Sequence, residues 1–255
     1  MTTSTSRPIV RVAAIFVMAA SALTAAQQPA APRVIVRDPT LSLACSPHAV
    51  VTPPQPTIRV VGSQEARKTL FGTGEAIVVS GGSEQGVRVG QEYFVRRLTN
   101  DQFALPLAGV TATSIKTAGW VRIVDVEKDL AIAVVAHACD GVLEGDYLEP
   151  FVRPVAPAAL PAGEPDYSTA GVLIMGDERR QIGADGAMMI LDRGSSHGVR
   201  PGQRLTIFRD TLGGGAPVAR IAEATAVVVR PDTTVVRIDR ARDAVYVGDR
   251  AALHR

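Results

Sequence analysis

Apolar and polar residues alternate in short segments that follow glycines, and this pattern recurs through most of the chain. The segments AIVV (76–79) and AMMIL (187–191) are apolar runs bounded by glycine, while EYFVRR (92–97) and RLTIFR (204–209) alternate. Runs of this kind are typical of β-strands, and the first two are typical of buried ones. Long segments with the period of an amphipathic helix are absent from the sequence, so the pattern predicts an all-β fold.

The chain also contains an internal repeat. Residues 72–97 and 184–209 share four glycines and the sequence GVR-x-GQ, and DGVLEGDYL (140–148) matches DAVYVGDRA (243–251) near the end of each copy. Each copy is long enough for a modest core, which must consist mainly of Val, Ile, Leu and Ala. We therefore expect two tandem small β-barrels of about five to six strands each, SH3-like or similar.

Composition divides the chain into successive parts. Proline is dense between the two copies and again before the first copy, and proline at that density favours extended, semi-rigid chain. The predicted parts are a signal peptide (1–26), an extended Pro-rich arm (27–56), β domain copy 1 (57–152), a Pro-rich linker (153–167) and β domain copy 2 (168–255).

The first 26 residues have the form of a secretory signal, in which Arg7 and Arg11 precede a short apolar run and small residues precede Gln27. The run is shorter than a membrane-spanning helix, which needs about 20 residues. The sequence is compatible both with cleavage of this segment and with its retention as an anchor. The net charge of +2 depends on the two leader arginines. The mature chain is neutral and has no basic stripe for nucleic acid. We expect an exported protein, periplasmic or extracellular, with no transmembrane segment after cleavage.

The chain has two cysteines, Cys45 and Cys139. Export to an oxidising compartment favours a disulfide between them over two free thiols. The cysteines and four histidines lack metal-ligand spacing. The loop GGSEQG (81–86) continues with Val87 and Arg88, where a phosphate-binding loop requires Lys and Ser or Thr. We expect neither a metal nor another cofactor.

Residues 194–198, GSSHG, match the G-x-S-x-G pattern of serine hydrolases, with Ser196 as nucleophile. The first copy has Glu84 in that place, and Pro201-Gly202 leave no room for the helix that must follow the serine. A structural turn explains the shared residues, because glycine adopts positive φ without strain. The predicted turn residues are Gly82, Ser83, Gly86, Gly90, Gly194, Ser195, Gly198 and Gly202, with Asp146 and Asp249 in two later Gly-Asp turns.

Two further features have two interpretations each. Arg97 and Arg209 match between the copies, as do Arg88 and Arg200, and form either a bivalent anion-binding surface or structural salt bridges. The apolar segment QFALPLAG (102–109) is either an exposed partner contact or part of an ordinary core.

The residue order resembles a known family. Copy 2 begins with a strand, the turn sequence G-S-x-x-G-V-x-x-G-Q and a strand that ends in Arg. It continues with APVARI, a further strand and the sequence D-A-V-x-x-G-D. This order resembles the small C-terminal β domain of flagellar assembly protein T and related exported bacterial envelope domains. Copy 1 departs from it, with Val89 in the place of Pro201. The resemblance implies a non-enzymatic module for protein assembly or envelope attachment, and it does not imply a flagellar role.

We therefore expect a structural or assembly module that holds another protein of the cell envelope. One alternative is a peptidoglycan-binding module, and a more distant one is a serine hydrolase that uses Ser196. Glycan binding predicts an exposed aromatic platform, for which the candidates are Tyr93, Phe94, Trp120, Phe208 and Tyr246.

Overall fold

The computed structural model of the chain describes residues 39–65, 67–177, 180–210 and 217–255. The predicted signal peptide, 1–26, and the first part of the predicted arm, 27–38, lie outside the described residues. Within the described ranges, no helix has the length and apolar character needed to cross a membrane.

Short strands make up most of the described chain. The N-terminal half contains α1 (Pro39–Ala44), β1 (His48–Val50), β2 (Val60–Gly62), β3 (Leu70–Phe71), β4 (Ala76–Val79), β5 (Glu92–Thr99), β6 (Thr113–Val126), β7 (Ala131–Ala138), β8 (Val142–Leu143) and β9 (Tyr147–Pro150). The C-terminal half contains β10 (Pro165–Gly176), β11 (Ile182–Gly183), β12 (Met188–Leu191), β13 (Arg204–Arg209), β14 (Ala219–Val229), β15 (Thr234–Ala241), β16 (Val245–Tyr246) and β17 (Arg250–His254).

Both copies form the same antiparallel barrel. In copy 2 the strand order is β10-β12-β15-β14-β13-β17, and β17 pairs with β10 to close the barrel. In copy 1 the order is β2-β4-β7-β6-β5-β9, and a bridge between Arg59 and Tyr147 joins its two ends. The small sheets β3-β8 and β11-β16 also correspond. The predicted all-β fold of two tandem small barrels is confirmed.

Each barrel encloses its own aliphatic core. Alternate residues of a strand point to opposite faces, so Ile77 and Val79 of β4 are buried inside copy 1 while Val78 faces outward and is half-buried. Phe71 is an aromatic member of that core. The core of copy 2 is built in the same way, with Leu173, Met189, Leu191, Leu205, Ile207, Val236 and Ile238 among its members.

The arm is more ordered than its prolines predict. Instead of extended chain throughout 27–56, the structure places α1 at Pro39–Ala44 and β1 at His48–Val50, which pairs with the first residues of β6. Helix α1 lies between the barrels, because Leu43 packs against residues of copy 2 and Ala44 packs against residues of copy 1. These contacts connect segments far apart in the sequence, and composition alone does not reveal them.

The predicted linker follows the surface of copy 2. The Leu160 N–H donates to the Gly202 carbonyl oxygen at 2.8 Å, and the backbones of Glu164 and Arg255 pair with each other. Strand β10 begins at Pro165, so the last residues of the predicted linker, 165–167, belong to the second barrel.

Candidate functional site

The glycine-rich turns have the same geometry in both copies. Gly82 precedes a 3₁₀ turn at Ser83–Gln85, and Gly194 precedes one at Ser195–His197. In each case the glycine N–H donates to the side chain of the last turn residue, at 2.8 Å in copy 1 and 3.2 Å in copy 2. A Cβ on Gly82 or Gly194 would lie 2.4 or 2.1 Å from a backbone carbonyl oxygen of the facing hairpin. The close approach of two backbones therefore requires glycine at both positions.

The other predicted turn glycines adopt the left-handed conformation, which an L side chain rarely takes. Gln91 follows the second of them in copy 1, and its Oε1 accepts the Arg88 N–H at 2.8 Å. Gln203 accepts the Arg200 N–H at 3.0 Å in the same way. The left-handed glycines of these turns are Gly86, Gly90, Gly198 and Gly202.

Ser196 lies exposed in the middle of the copy 2 turn. The neighbouring His197 directs Nδ1 at the Gly194 N–H, inside the turn. His254, which lies downstream of Ser196 in the sequence, belongs to β17, and its Nε2 lies 2.8 Å from the Thr206 hydroxyl. The two histidines that could act as the base of a catalytic triad with Ser196 thus have other hydrogen-bond partners.

The matched arginines on β5 and β13 form ion pairs with the aspartates of the Gly-Asp turns. The Nε and Nη2 atoms of Arg97 each donate to one carboxylate oxygen of Asp146 at 2.7 Å. The same two atoms of Arg209 donate to the carboxylate of Asp249, also at 2.7 Å. Each aspartate also accepts a backbone N–H from its own turn, that of Leu143 in copy 1. The hydrogen bond to Asp146 raises the pKa of Arg97. These arginines form structural salt bridges that link β5 and β13 to the Gly-Asp turn before the last strand of each barrel.

Cys45 and Cys139 form a disulfide, as the sequence predicts. It fastens the arm to the end of β7 beside an aromatic cluster in which Trp120 stacks on His137 and Phe151. His137 and the two sulfur atoms lie within 4.8 Å of one another. Because each sulfur is bonded to the other, neither is a thiolate, which is the form that binds metal ions.

The candidate aromatics do not form one exposed platform. Phe94, Trp120 and Phe208 are buried. Tyr93 is half-buried in copy 1, and Tyr246 is partly exposed in copy 2 beneath the Arg209 guanidinium. This arrangement does not favour the glycan-binding alternative.

One sheet face of copy 2 is covered by elements of the N-terminal half. We call these elements the flap: α1, β1 and residues 101–112, which connect β5 to β6. Leu43 of the flap packs against Met188, Val227 and Val235. Leu107 and Ala49 of the flap pack, with Ala112, against Ile174, Met175 and Ile190. These six residues of copy 2 are its outer face.

Residues 102–109 therefore follow neither simple interpretation. Leu107 is buried against copy 2, and the Leu105 N–H donates to the Ile174 carbonyl oxygen at 2.9 Å, while Phe103 stays exposed. The segment is a contact between the two copies of one chain. Sequence reasoning identified it as apolar but did not place its partner.

A polar group of the flap lies deep in this contact. His48 is buried, and burial, followed by the charges of Arg230 and Arg96, lowers its pKa from 6.5 to about 2. The imidazole is neutral at physiological pH. The neighbouring Ala49 carbonyl oxygen accepts the hydroxyl of Thr233 at 3.4 Å. The flap is thus joined to copy 2 by apolar packing and by hydrogen bonds.

Strand pairing identifies the same face on copy 1. In copy 2, strands β10 and β12 pair Leu173 with Leu191 and Met175 with Ile190. Ile174 has no partner of its own in this pairing, so it forms a bulge and lies on the outer face. In copy 1, Val60 pairs with Val79 and Gly62 with Val78, so the bulge falls on Val61. A second bulge shared by β6 and β14 makes Val124 the equivalent of Val227. The outer face of copy 1 consists of Val61, Val78, Val124, Leu130 and Ile132.

Equivalent positions differ sharply in exposure. Ile174 is 1 % exposed and Val227 is 5 % exposed, whereas Val61 and Val124 are 43 % and 45 % exposed. The reason is the flap, which covers only the outer face of copy 2. Among the described residues, therefore, no element covers the aliphatic sheet face of copy 1, where a monomer would ordinarily carry polar side chains.

A shallow groove crosses this uncovered face. It is lined by the aliphatic side chains of Val78, Leu130 and Ile132 and by the polar residues Gln64, Asp125 and Glu127, of which the last two are acidic. Sequence reasoning missed the groove. The available signal was the presence of aliphatic residues at outward positions of strands in both copies.

Comparison with protein-family models finds no match, and no curated protein matches the chain.

Proposed function

We propose that this chain is a non-enzymatic assembly module of the bacterial cell envelope, which holds another protein on the outer face of copy 1. The observation that carries the proposal is the uncovered aliphatic face itself. The equivalent face of copy 2 makes a protein contact with the flap. Exposed contiguous apolar surface with a polar rim is typical of interaction sites.

An extracytoplasmic location is supported by two observations. The Cys45–Cys139 disulfide belongs to the kind of crosslink that persists in oxidising compartments and is rare in the cytosol. The N-terminal sequence has the charge and apolar run of a secretory signal. The resemblance to exported envelope domains agrees with both.

A rigid scaffold suits such a role. The flap packs against both barrels and is fastened to copy 1 by the disulfide, while the groove lies on the paired strands β4, β6 and β7 of the barrel. Preformed surfaces bind with a smaller loss of conformational entropy than flexible ones. The turn position of Ser196 and the bonding of His197 within that turn also favour a non-enzymatic role over a hydrolase.

Site-specific photocrosslinking in the envelope of the native host tests the proposal. A photoreactive amino acid replaces Val124, which is exposed on the outer face of copy 1 next to the groove residue Asp125, and the matched control replaces Val155, which is exposed in the linker. We expect a discrete covalent adduct with another protein from position 124 and none from position 155. Adducts from neither position, or the same adducts from both, would contradict the proposal.

A further inference from the structure

We propose that the groove of copy 1 binds an extended aliphatic segment that carries a lysine or arginine, supplied by a different protein. The inference rests on the proposed function and specifies the partner of the same face. Its basis is the comparison between two equivalent faces of one chain, one of which has its occupant in place.

The flap shows what kind of segment this face accepts. It presents Leu43, Ala49 and Leu107 to the outer face of copy 2, and all three are aliphatic. It also donates a backbone N–H, from Leu105, to the bulge residue Ile174. The donor lies in the non-helical residues 101–112, whereas Leu43 belongs to helix α1, so the part of the flap over Ile174 is the model for an extended segment. In such a segment main-chain hydrogen bonds give affinity and side-chain contacts give specificity.

Copy 1 repeats the apolar part of this arrangement. Val61 occupies the bulge of Ile174, and Val124 and Ile132 occupy the places of Val227 and Val235. We therefore expect a partner N–H to donate to the Val61 carbonyl oxygen and partner aliphatic side chains to cover Val78, Val124 and Ile132.

The charge of the two faces differs, and this difference selects the partner. By strand register, Asp125 and Glu127 of copy 1 occupy the places of Val228 and Arg230 of copy 2. On copy 2 a neutral histidine of the flap lies near Arg230. On copy 1 an occupant meets two carboxylates instead of one guanidinium. A cationic side chain is favoured there, because opposite charges across an interface stabilise and orient the complex.

A second copy of the chain is a poor source of this segment. The flap of every molecule already covers its own copy 2 and is fastened by the disulfide, so its release would expose the second aliphatic face. The connection between β13 and β14, which corresponds to residues 101–112, has the sequence LGGGAP where copy 1 has the aliphatic FALPLAG. The sequence of that connection therefore lacks the aliphatic run of residues 102–109.

Selection from a displayed library of random peptides tests the inference on the full mature chain with its disulfide intact. Enriched peptides are synthesised, and their affinities are measured for wild type, Val124→Asp, Glu127→Arg and the control Glu144→Arg. Glu144 is exposed outside the groove, so its variant makes the same change in net charge. Unfolding midpoints equal to that of wild type establish that each variant is folded.

We expect enriched peptides that combine aliphatic residues with lysine or arginine. Their affinity should fall about tenfold or more, equivalent to ~1.4 kcal/mol, with either groove variant, and should not change with Glu144→Arg. A library that enriches no peptide, or peptides that bind both groove variants as tightly as wild type, would overturn the inference. So would concentration-dependent dimers that Val124→Asp abolishes, because the occupant would then be a second copy.

The two proposals fail separately. A protein adduct from position 124 in the envelope, together with peptides that contain no cationic residue, would leave the assembly role intact and refute only the partner chemistry. Absence of any adduct would refute the assembly role itself.

Discussion

Replacing Cys45 and Cys139 together by alanine removes the crosslink that fastens the flap to the first barrel. The residues are 94 positions apart in the sequence, so the bond closes a long loop in the unfolded chain. In the chain-entropy description, the unfolded state of the variant gains the freedom of that loop. We therefore expect the variant to fold to the same structure with a smaller free energy of unfolding.

The size of the effect follows from the loop length. A loop of nearly 100 residues corresponds to about 5 kcal/mol at 25 °C. The folded state loses little, because Ala44 remains packed against Phe94 and Trp120 and β1 remains paired with β6. Since domains are stable by only about 5–15 kcal/mol, we expect a loss of about 3–5 kcal/mol, which is a large fraction of the total.

Urea unfolding followed by tryptophan fluorescence measures this loss. Trp120 is the single tryptophan and belongs to the cluster beside the disulfide. Wild type in the presence of a reductant should lose stability to about the level of the variant, while the variant should be insensitive to reductant. A loss smaller than about 1 kcal/mol with an unchanged denaturant slope would refute the argument, because it would mean that the unfolded chain is not constrained by the crosslink.

Three further predictions concern buried groups. Burial and two nearby arginines hold the pKa of His48 at about 2 in the folded chain. Below about pH 6.5 the imidazole is therefore protonated in the unfolded chain but stays neutral in the folded chain. The free energy of unfolding has its full value above about pH 6.5 and should fall by about 2 kcal/mol between pH 7 and 5 in urea titrations. His48→Gln should remove this contribution to the pH dependence of the free energy of unfolding. Arg209→Met leaves the carboxylate of Asp249, whose side chain is 4 % exposed, without its guanidinium partner. We expect the free energy of unfolding, measured by urea titration, to fall by about 3–5 kcal/mol. A fall of less than about 1 kcal/mol would contradict a stabilising ion pair. Gly194→Ala forces a Cβ to within 2.1 Å of a carbonyl oxygen and should cost about 1–3 kcal/mol in thermal unfolding. Gly72→Ala, which meets nothing within 4 Å, should be neutral or slightly stabilising, and equal losses in the two glycine variants would refute the close-approach argument.

The two copies have kept one fold and acquired different surfaces. Their turns, ion pairs and strand orders match. Their outer faces do not match, because the flap, which comes from the arm and from residues 101–112, covers the outer face of copy 2. A duplicated domain thus became a single unit in which one copy serves as the support and the other presents the groove.

Much of this architecture was determined by the sequence through local rules. The glycine positions of the turns follow from the backbone, because positive φ disfavours a Cβ and close carbonyl contacts leave no room for one in the folded chain. An apolar run bounded by glycine predicted β4, and alternation predicted β13. With two cysteines in the chain, an intramolecular disulfide had one possible pairing.

Only the tertiary structure decided which outward-facing residues meet solvent. Val124 and Val227 are the same residue type at the same bulge, and nothing in their local sequence distinguishes them. The difference arises because Leu43, far away in the chain, packs on Val227 and no element of the described chain is placed equivalently over Val124. Local patterning specifies the face of a strand, whereas the covering of that face depends on contacts between distant segments.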